Sequence, residues 1–432
     1  MIAYNKDYRD LFLDSYSFSL PQNLIATSPK YPKESAKLLV YYKDTGEIIH
    51  TTFASLFDFI PRDYLIVLNN TKVIPARFYA SKLDKPISYD TSISISYLHN
   101  KVREFLYHKP LGELRHLVQI RGRVRQNDFF MASDLKTLVR VIRVLDYGYK
   151  EVLFYDILSI SSATKHGNLE FTESNIYSIS PMSDFQVIAF LRECGKVPIP
   201  PYIKREANIK DAVDYQSIFA SIDGSVAAPT ASLHFSESMF AFLKENFHYT
   251  FVTLHIGAGT FAPIKTNSIL EHRIHSEYCS IADSSAIKIA KHNKILCVGT
   301  TALRCIEWFA RTSAYEQGFD LEANLNNKCL HNDKSINIGI SKDRLVLSKN
   351  IEDKQGQDRQ IGVLCGENSL FLHPFNPPRL ANALLTNFHL PKSSLLLLVS
   401  SLIGREEVLR VYDNAIRSRY RFYSYGDGML II

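Results

Sequence analysis

A glycine-containing segment follows a predicted strand near the middle of the chain. Tyr249 to Ile256 has the residue types of a strand, and Gly257 and Gly259 follow it shortly before Pro263. These letters match one form of a dinucleotide fingerprint, but no helix follows the proline to offer its N-terminus to a pyrophosphate. What remains is either a strand end where backbone amides can approach a ligand closely or an ordinary glycine turn.

Two histidines and a glutamate come next along the chain. His272 and His275 would share one face of a helix, as a pair of metal ligands can. However, His275, Glu277 and Cys279 alternate with other residues, which is typical of a strand and separates His272 from the others. We therefore interpret His275 and Glu277 as a hydrogen-bonded pair that is suited to orienting or transferring a proton.

A third candidate lies where a predicted strand enters a helix. Val298 ends the strand, and Gly299, Thr300 and Thr301 follow it. Free amides and a hydroxyl would face a ligand at the carboxyl end of the strand, and Arg304, one helical turn later, could pair with a carboxylate or phosphate. Simple N-capping by Thr300 or Thr301 would explain the same residues without a ligand.

Arginines alternate with aromatic residues between Arg417 and Tyr425. Arg417, Arg419 and Arg421 would supply partners for phosphates, and the aromatic rings would supply stacking faces, as single-stranded nucleic-acid sites require. Spacing alone slightly favours a simpler interpretation, in which a solvated basic rim covers aromatic residues of the core.

Two patterns of elements must position these segments. From residue 182 onward predicted strands alternate with helices, which indicates an α/β main domain that also includes residues 1–75. Residues 76–181 instead contain short strands at close spacing, typical of an inserted all-β, barrel-like domain. The asparagine-rich residues 318–360 interrupt the alternation and are predicted to form a surface insertion.

Composition excludes several classes of protein. With 46% apolar and 22% charged residues among 432, the chain is neither disordered nor of low complexity. Its apolar runs are too short to span a membrane, and its first residues lack the pattern of a secretory signal. The six cysteines form no CxxC pair, which argues against a disulfide framework or a cysteine-ligated zinc and favours a cytoplasmic location.

The net charge leaves the question of a nucleic-acid partner open. The 50 Lys and Arg residues exceed the 44 Asp and Glu residues by only six. Such a modest excess permits nucleic-acid binding only where the positive charge is clustered. Besides the arginines near Tyr425, we expect Arg121, Arg123 and Arg125 to lie along one strand of the inserted domain.

Several ordered segments of the chain resemble one known family, the S-adenosylmethionine:tRNA ribosyltransferase-isomerases of queuosine biosynthesis. The segments that carry the resemblance are residues 18–21 with 24–26, 69–77, 198–205, 214–216, 224–235, 255–261, 272–278, 298–304, 385–391 and 420–430. The departures are local: residues 78–180 are similar to the family's inserted barrel only in general terms, and the segment 318–360 is longer than usual.

The resemblance implies an enzyme that uses S-adenosylmethionine as a ribosyl donor. It would transfer and isomerise the ribosyl group onto 7-aminomethyl-7-deazaguanine at the tRNA wobble position, which forms epoxyqueuosine and releases adenine and methionine. The donor is consumed, so no separate cofactor and no metal is expected. The expected partner is a tRNA that carries the deazaguanine precursor, the expected oligomeric state is a monomer, and no membrane association is expected.

The resemblance also suggests roles for individual residues. Three are candidates for proton transfer: His255, His275 and Glu277. Those expected to bind S-adenosylmethionine are Gly257, Gly259, Thr260, Phe261, Thr300, Thr301, Arg304, Asn387 and His389. Arg304 would face the methionine carboxylate. Those expected to hold the tRNA anticodon loop are Arg205, Arg419 and Arg421.

Two hypotheses from other classes compete with this one. The chain could be a non-catalytic RNA-binding protein that uses the β domain and the basic, aromatic segment near Tyr425. Alternatively, it could be a metal-dependent hydrolase built on His272, His275 and Glu277.

Overall fold

A computed structural model describes residues 7–432 of the chain with several gaps. Outside the described residues lie 84–86, 89–91, 96–97, 165–172, 201, 204, 258, 260–262, 313–338, 342–343, 347–348, 353–357 and 362. In the described ranges the strands, in chain order, are β1 (Lys37–Tyr41), β2 (Ile48–Thr52), β3 (Leu65–Asn69), β4 (Thr71–Val73), β5 (Arg77–Leu83), β6 (Ile87–Ser88), β7 (Ser92–Ile95), β8 (Leu98–Gly112), β9 (Arg115–Ile120), β10 (Phe129–Ala132), β11 (Thr137–Val144), β12 (Tyr149–Thr164), β13 (Glu173–Pro181), β14 (Ile222–Ser225), β15 (His248–Leu254), β16 (Glu277–Ala282), β17 (Ile295–Val298), β18 (Gly339–Ser341), β19 (Arg344–Val346), β20 (Lys349–Glu352), β21 (Asp358–Ile361), β22 (Val363–Asn368), β23 (Ala383–Asn387) and β24 (Gly428–Ile431).

The α-helices in the same ranges are α1 (Asp184–Cys194), α2 (Asp211–Asp214), α3 (Glu237–Asn246), α4 (Asp283–Lys291), α5 (Thr300–Phe309), α6 (Ser394–Ile403) and α7 (Arg405–Arg417). Short 3-10 turns connect them, at Tyr8–Leu11, Leu13–Tyr16, Gln22–Leu24, Lys33–Ser35, Phe53–Asp58, Asp146–Gly148, Thr230–His234 and Ile269–Glu271. The helix predicted from Ser183 to Gly195 is confirmed, because Ser183 and Gln186 form a reciprocal capping box at its start.

The larger sheet is mixed, and its described strands run in the order β18-β19-β22-β16-β15-β3-β17-β23-β24-β1-β2. Its centre, β15-β3-β17-β23, is parallel, whereas β16 and β22 pair antiparallel with their neighbours. Parallel strands end at one edge of a sheet, so the segments that follow β3, β15, β17 and β23 meet there. This edge carries the candidate site, and the predicted α/β class of the main domain is confirmed.

Side chains of the central strands are buried on both faces of this sheet. Leu65 and Val67 of β3 pack with α5, α6 and α7, while Ile66 and Leu68 pack against the face that α3 covers. Burial on both faces explains why β3 is a continuous apolar run rather than an alternating one.

The second sheet forms the inserted domain. Strands β11-β10-β5-β8-β9-β12 follow one another, and β11 also pairs with β12, which closes a barrel; β13, β7 and β6 extend it. Phenylalanines fill the barrel, and Phe78 and Phe105 stack with ring centroids 4.8 Å apart. The predicted all-β, barrel-like insert is therefore confirmed as a fold class. We retain residues 76–181 as its proposed boundaries, and residues 1–75 and 182–432 as those of the main domain.

Two predicted segments can be compared with the structure: the arginine-bearing strand of the inserted domain and the surface insertion at residues 318–360. The strand predicted to carry Arg121, Arg123 and Arg125 is shorter than expected, because β9 ends at Ile120 and Gly122, with φ +97°, turns the chain. All three arginines are exposed beyond the strand, so their predicted placement was wrong. Of the predicted insertion, residues 318–338 lie outside the described residues, whereas β18 and β19 extend the larger sheet and β20 pairs with β21.

The two connections between the domains pack directly against each other. The backbone N–H of Arg77 donates to the carbonyl of Lys196 at 3.1 Å, and that of Lys196 donates back at 2.7 Å. Gly195 has an ordinary backbone conformation, but a Cβ placed on it would lie 1.8 Å from the carbonyl oxygen of Pro75. Glycine is therefore required here for close approach of the two connections.

We expect Gly195→Ala to lower the free energy of unfolding by about 3 kcal/mol, because backbone rather than a flexible side chain opposes the new methyl group. Gly112→Ala is the matched control. A Cβ there meets nothing within 4 Å, although φ is +85°, so its cost should be about 1 kcal/mol. Urea unfolding of both variants measures the difference, and equal losses would contradict the steric argument.

Candidate functional site

A cavity of about 410 Å³ opens at the carboxyl edge of the parallel strands. Gly299, Thr300 and Thr301 form one wall, at the start of α5. The side-chain amide of Asn69 donates to Thr301 Oγ1 at 3.0 Å and to the carbonyl of Leu254 at 3.1 Å, which ties α5 to the end of β15. Gly299 is the N-cap residue and no side chain caps α5, so N-capping by either threonine is not their role.

Asn387 lies on the opposite wall, at the end of β23. Its Oδ1 accepts a hydrogen bond from Thr230 Oγ1 at 2.8 Å, and its Nδ2 lies 3.3 Å from His234 Nε2 and 3.4 Å from the carbonyl of Gly426. Burial lowers the pKa of His234 to about 3, and the charge of Arg421 adds to the effect, so the ring is neutral at pH 7. This wall offers the cavity neutral groups with fixed directions.

His389 follows Asn387 on the same wall. Its Nε2 is hydrogen-bonded to Thr386 Oγ1 at 2.9 Å, and its backbone N–H donates to Tyr412 Oη at 3.0 Å. Burial lowers the pKa of His389 to about 3, which keeps this ring neutral too.

Two tyrosines supply aromatic surface to the cavity. The rings of Tyr202 and Tyr423 both line it, with centroids 4.6 Å apart. The Tyr202 hydroxyl donates to Ser424 Oγ and accepts from the Ser424 N–H at 2.9 Å, which fixes the ring. Aromatic faces together with neutral hydrogen-bonding groups suit a planar heterocycle.

A charged cluster centred on Glu277 lies beside the cavity. Glu277 Oε1 accepts from the Gly257 N–H at 3.0 Å and lies 3.2 Å from His275 Nε2, and its Oε2 pairs with the Arg304 guanidinium. Burial alone would raise the pKa of Glu277, but Arg304 and His275 outweigh it and hold that pKa at about 2. Glu277 is therefore an anion at neutral pH, which can orient His275 but cannot donate a proton.

Arg304 is itself buried, with 5% of its surface exposed. Besides Glu277, its guanidinium donates to the carbonyls of Leu370, at 3.3 Å, and Asn368, at 3.5 Å. The arginine lines a small pocket with His275 and Leu395, and Leu395 also lines the cavity. Arg304 thus holds the charged cluster in place at the cavity's flank.

His255 lies just beyond β15, next to Ile256, which lines the cavity. A hydrogen bond of 2.7 Å joins His255 Nδ1 to Thr71 Oγ1, and its ring stacks on Tyr278 at a centroid distance of 5.8 Å. A Cβ on Gly224 would lie 2.8 Å from His255 Nε2, so glycine makes room for the imidazole. Burial lowers the pKa of His255 to about 4, which leaves it neutral at pH 7.

The inserted domain contacts β22, the strand that pairs with β16 next to Glu277. Lys109 of β8 donates to Glu367 Oε1 at 2.8 Å, and Ser276 Oγ donates to Glu367 Oε2 at 2.5 Å. The barrel therefore meets the main domain directly beside the Glu277 cluster.

The predicted tRNA-binding arginines differ in their surroundings. Arg205 pairs with both carboxylate oxygens of Asp211, at 2.6 and 2.7 Å, and Arg421 pairs with Asp427 at 3.4 Å. Arg419 is exposed, and its guanidinium has no partner among the described residues. Of the three, only Arg419 is thus available to a phosphate without breaking an ion pair.

The structure also bears on the metal-dependent hydrolase hypothesis and on membrane association. Across the described ranges, no three His, Cys, Asp or Glu side chains converge into a group able to hold a metal ion. His272, the third residue of the hydrolase hypothesis, packs against Phe371 with ring centroids 5.2 Å apart. No helix in the described part of the chain is long and apolar enough to cross a membrane.

Comparison with known proteins agrees with the resemblance found in the sequence. A sequence profile for a queuosine biosynthesis protein matches residues 13–431. The S-adenosylmethionine:tRNA ribosyltransferase-isomerase of Helicobacter acinonychis is 38% identical over 426 residues, which cover 98% of this chain and 100% of the relative. The enzyme of the same name from Campylobacter jejuni is 39% identical over 431 residues, 98% of this chain and 99% of the relative. The chain belongs to this family.

A solved structure of the family also matches. The S-adenosylmethionine tRNA ribosyltransferase of Thermotoga maritima is 22% identical, with a TM-score of 0.44, and the match covers 97% of this chain and 100% of that one.

The site residues predicted from the family resemblance fall into two adjacent groups. Thr300, Thr301, Asn387 and His389 line the cavity. The others form the cluster beside it or its border: His255, Gly257, Gly259, His275, Glu277 and Arg304. Thr260 and Phe261 lie outside the described residues.

The sequence predicted no donor-site role for Tyr202, Tyr423, Asn69 or Thr71. All four lie in segments that carry the family resemblance, which was the available signal. The side chains of Asn69 and Thr71 reach Thr301 and His255 across the sheet edge.

Proposed function

We propose that this chain transfers and isomerises the ribosyl group of S-adenosylmethionine onto 7-aminomethyl-7-deazaguanine at the wobble position of tRNA, forming epoxyqueuosine and releasing adenine and methionine. The observation that carries the proposal is the placement of a cavity lined by aromatic rings and neutral polar side chains directly beside an anchored carboxylate–histidine pair. In this family the donor supplies the ribosyl group, and we propose no further cofactor.

The cavity is the proposed site for the adenine end of the donor. Tyr202 and Tyr423 offer ring faces to a purine, while Asn387 and His389 offer neutral polar groups at its edge. The ribose and the sulfonium would then lie toward Thr300, Thr301 and the Glu277 cluster.

His275 and His255 are the proposed proton-transfer groups. The first is oriented by Glu277 and the second by Thr71, and each has a ring nitrogen that is not used in that contact. For Glu277 we propose orientation of His275 in preference to proton transfer, since a carboxyl group with a pKa of about 2 is a weak base and has no proton to donate at neutral pH. Arg304, bound to Glu277, acts on the donor through that carboxylate rather than by facing the methionine carboxylate.

We propose that the protein works as a monomer in the cytoplasm on tRNA that carries the deazaguanine precursor. Incubation with S-adenosylmethionine and such tRNA should release adenine in step with the modified nucleoside. Methyl transfer with release of S-adenosylhomocysteine, or binding without adenine release, would contradict the proposed reaction.

Asn387→Ala should raise the KM for S-adenosylmethionine about tenfold, because the cavity would lose a directed polar group worth about 1.4 kcal/mol in binding. The KM for tRNA should change little. Asn246→Ala is the control, since the side chain of this exposed asparagine of α3 bonds only the carbonyl of Phe242 among the contacts described. Steady-state adenine release with each substrate varied separately measures both constants, and an unchanged donor KM would remove Asn387 from the donor site.

A further inference from the structure

Three exposed apolar side chains form a small patch that the proposed chemistry does not use. Ile209 is 93% exposed, Val213 70% and Tyr31 64%. Ile209 lies just before α2 and Val213 within it, four residues later, and the Tyr31 hydroxyl donates to Asp214 at the end of that helix. The spacing and this hydrogen bond bring the three side chains to the surface around α2, here named the Tyr31 platform.

The Tyr31 platform is anchored to the same framework as the cavity. Arg205, which precedes it, donates to the carbonyl of Thr27, and Asp211 within it accepts from Tyr425 at 3.2 Å. Tyr202 and Tyr423, from the same two segments, reach into the cavity. A ligand on the platform would therefore be held at a fixed position relative to the donor.

The charges around the platform favour an anionic partner. Lys30 precedes Tyr31 and Lys210 lies between Ile209 and α2; both are exposed, and neither side chain has a partner among the described residues. The carboxylates of Asp211 and Asp214 are buried and already accept hydrogen bonds. Glu206 is the exposed acid nearby.

We infer that the Tyr31 platform receives an unpaired base of the RNA substrate, with Lys30 and Lys210 on the adjoining phosphates. Single-stranded RNA combines the two features that this surface complements, a flat apolar base and a charged backbone. The inference rests on the proposed function, because it takes the anticodon loop as the RNA. In this arrangement Lys30 and Lys210, whose charges are not neutralised within the protein, contact the RNA in place of Arg205 and Arg421.

Binding of a labelled anticodon stem-loop RNA over a range of salt concentrations tests the inference. Lys30→Gln/Lys210→Gln should weaken binding about tenfold and reduce the slope of log Kd against log salt by about 1.4, since two phosphate contacts are lost. Ile209→Ser/Val213→Ser should weaken binding about as much with the slope unchanged. Tyr31→Ala should also weaken it, and by more than Tyr31→Phe, which keeps the ring but loses the hydroxyl contact with Asp214.

The matched control is Lys244→Gln/Lys291→Gln, which removes two exposed lysines from α3 and α4, near the opposite edge of the sheet. RNA affinity should not change in this variant. If the platform variants bind RNA as the wild type does, the inference is wrong, and if they alter only the sedimentation mass, the platform is a protein interface instead. Adenine release by the wild-type enzyme is measured in parallel, so failure of the proposed reaction is distinguished from failure of the platform.

Discussion

Arg304→Met is expected to lower the free energy of unfolding at pH 7 by about 3 to 5 kcal/mol, because it leaves the Glu277 carboxylate buried without its cation. Glu277 has 3% of its surface exposed, so water cannot replace the lost partner. The Gly257 N–H and His275 remain as hydrogen-bond partners but carry less charge. Urea unfolding followed by circular dichroism measures the loss.

Two observations distinguish an unpaired charge from a simple loss of packing. Arg304→Met/Glu277→Gln removes both charges and should recover much of the stability. The destabilisation by Arg304→Met should also shrink at pH 4, where the isolated carboxyl can take up a proton. If the double variant is as unstable as the single variant, the ion pair is not the cause.

The pH dependence of the wild-type protein follows from the same contact. The pKa of Glu277 is about 2 in the folded protein, below its ordinary value of 4.5. The unfolded chain therefore binds more protons between these two pKa values, so the free energy of unfolding must decrease as the pH is lowered through that range. The contribution is complete above about pH 4.5 and is lost as the pH falls toward 2, which unfolding curves of wild type and Glu277→Gln would show.

Much of the fold was accessible from the sequence because burial sets a visible pattern. The alternation of strand and helix patterns indicated the α/β main domain, and Gly299 marked the entry from β17 into α5. Parallel strands share one edge, so the strand-end residues could be expected to meet. The helices α3 and α4 were not assigned, because each is short and mixes apolar with polar residues, and α4 also lacks a side-chain cap at its start.

The site was less accessible because its partners are distant in sequence. Glu277 and Arg304 were both singled out, but nothing in their spacing shows that they bind each other rather than a ligand. Arg205 and Arg421 resemble free cations in the sequence, yet each is neutralised by an aspartate that the fold brings alongside. Pairing decides which charges are available, and pairing is a property of the tertiary structure.

His255→Ala is expected to lower kcat by about 10² to 10⁴-fold, the range for loss of a positioned acid–base group. The affinity for S-adenosylmethionine should stay near that of the wild type, since the role proposed for His255 is proton transfer and not donor binding. Single-turnover adenine release together with calorimetric titration of the donor separates these effects. His248→Ala, at the exposed start of the same strand, is the control. Normal turnover in His255→Ala would exclude the residue from the chemistry.

Thr71 tests whether His255 works through its orientation. Thr71→Val removes the 2.7 Å hydrogen bond to Nδ1 while keeping a side chain of similar size, so the ring loses the contact that fixes its tautomer. We expect a smaller loss of kcat than in His255→Ala, with recovery in Thr71→Ser, which restores the hydroxyl. Because the pKa of His255 is about 4, the imidazole is neutral at pH 7. A neutral imidazole can accept a proton at one nitrogen only if its other nitrogen carries the hydrogen. The hydrogen bond to Thr71 determines which nitrogen of His255 carries it.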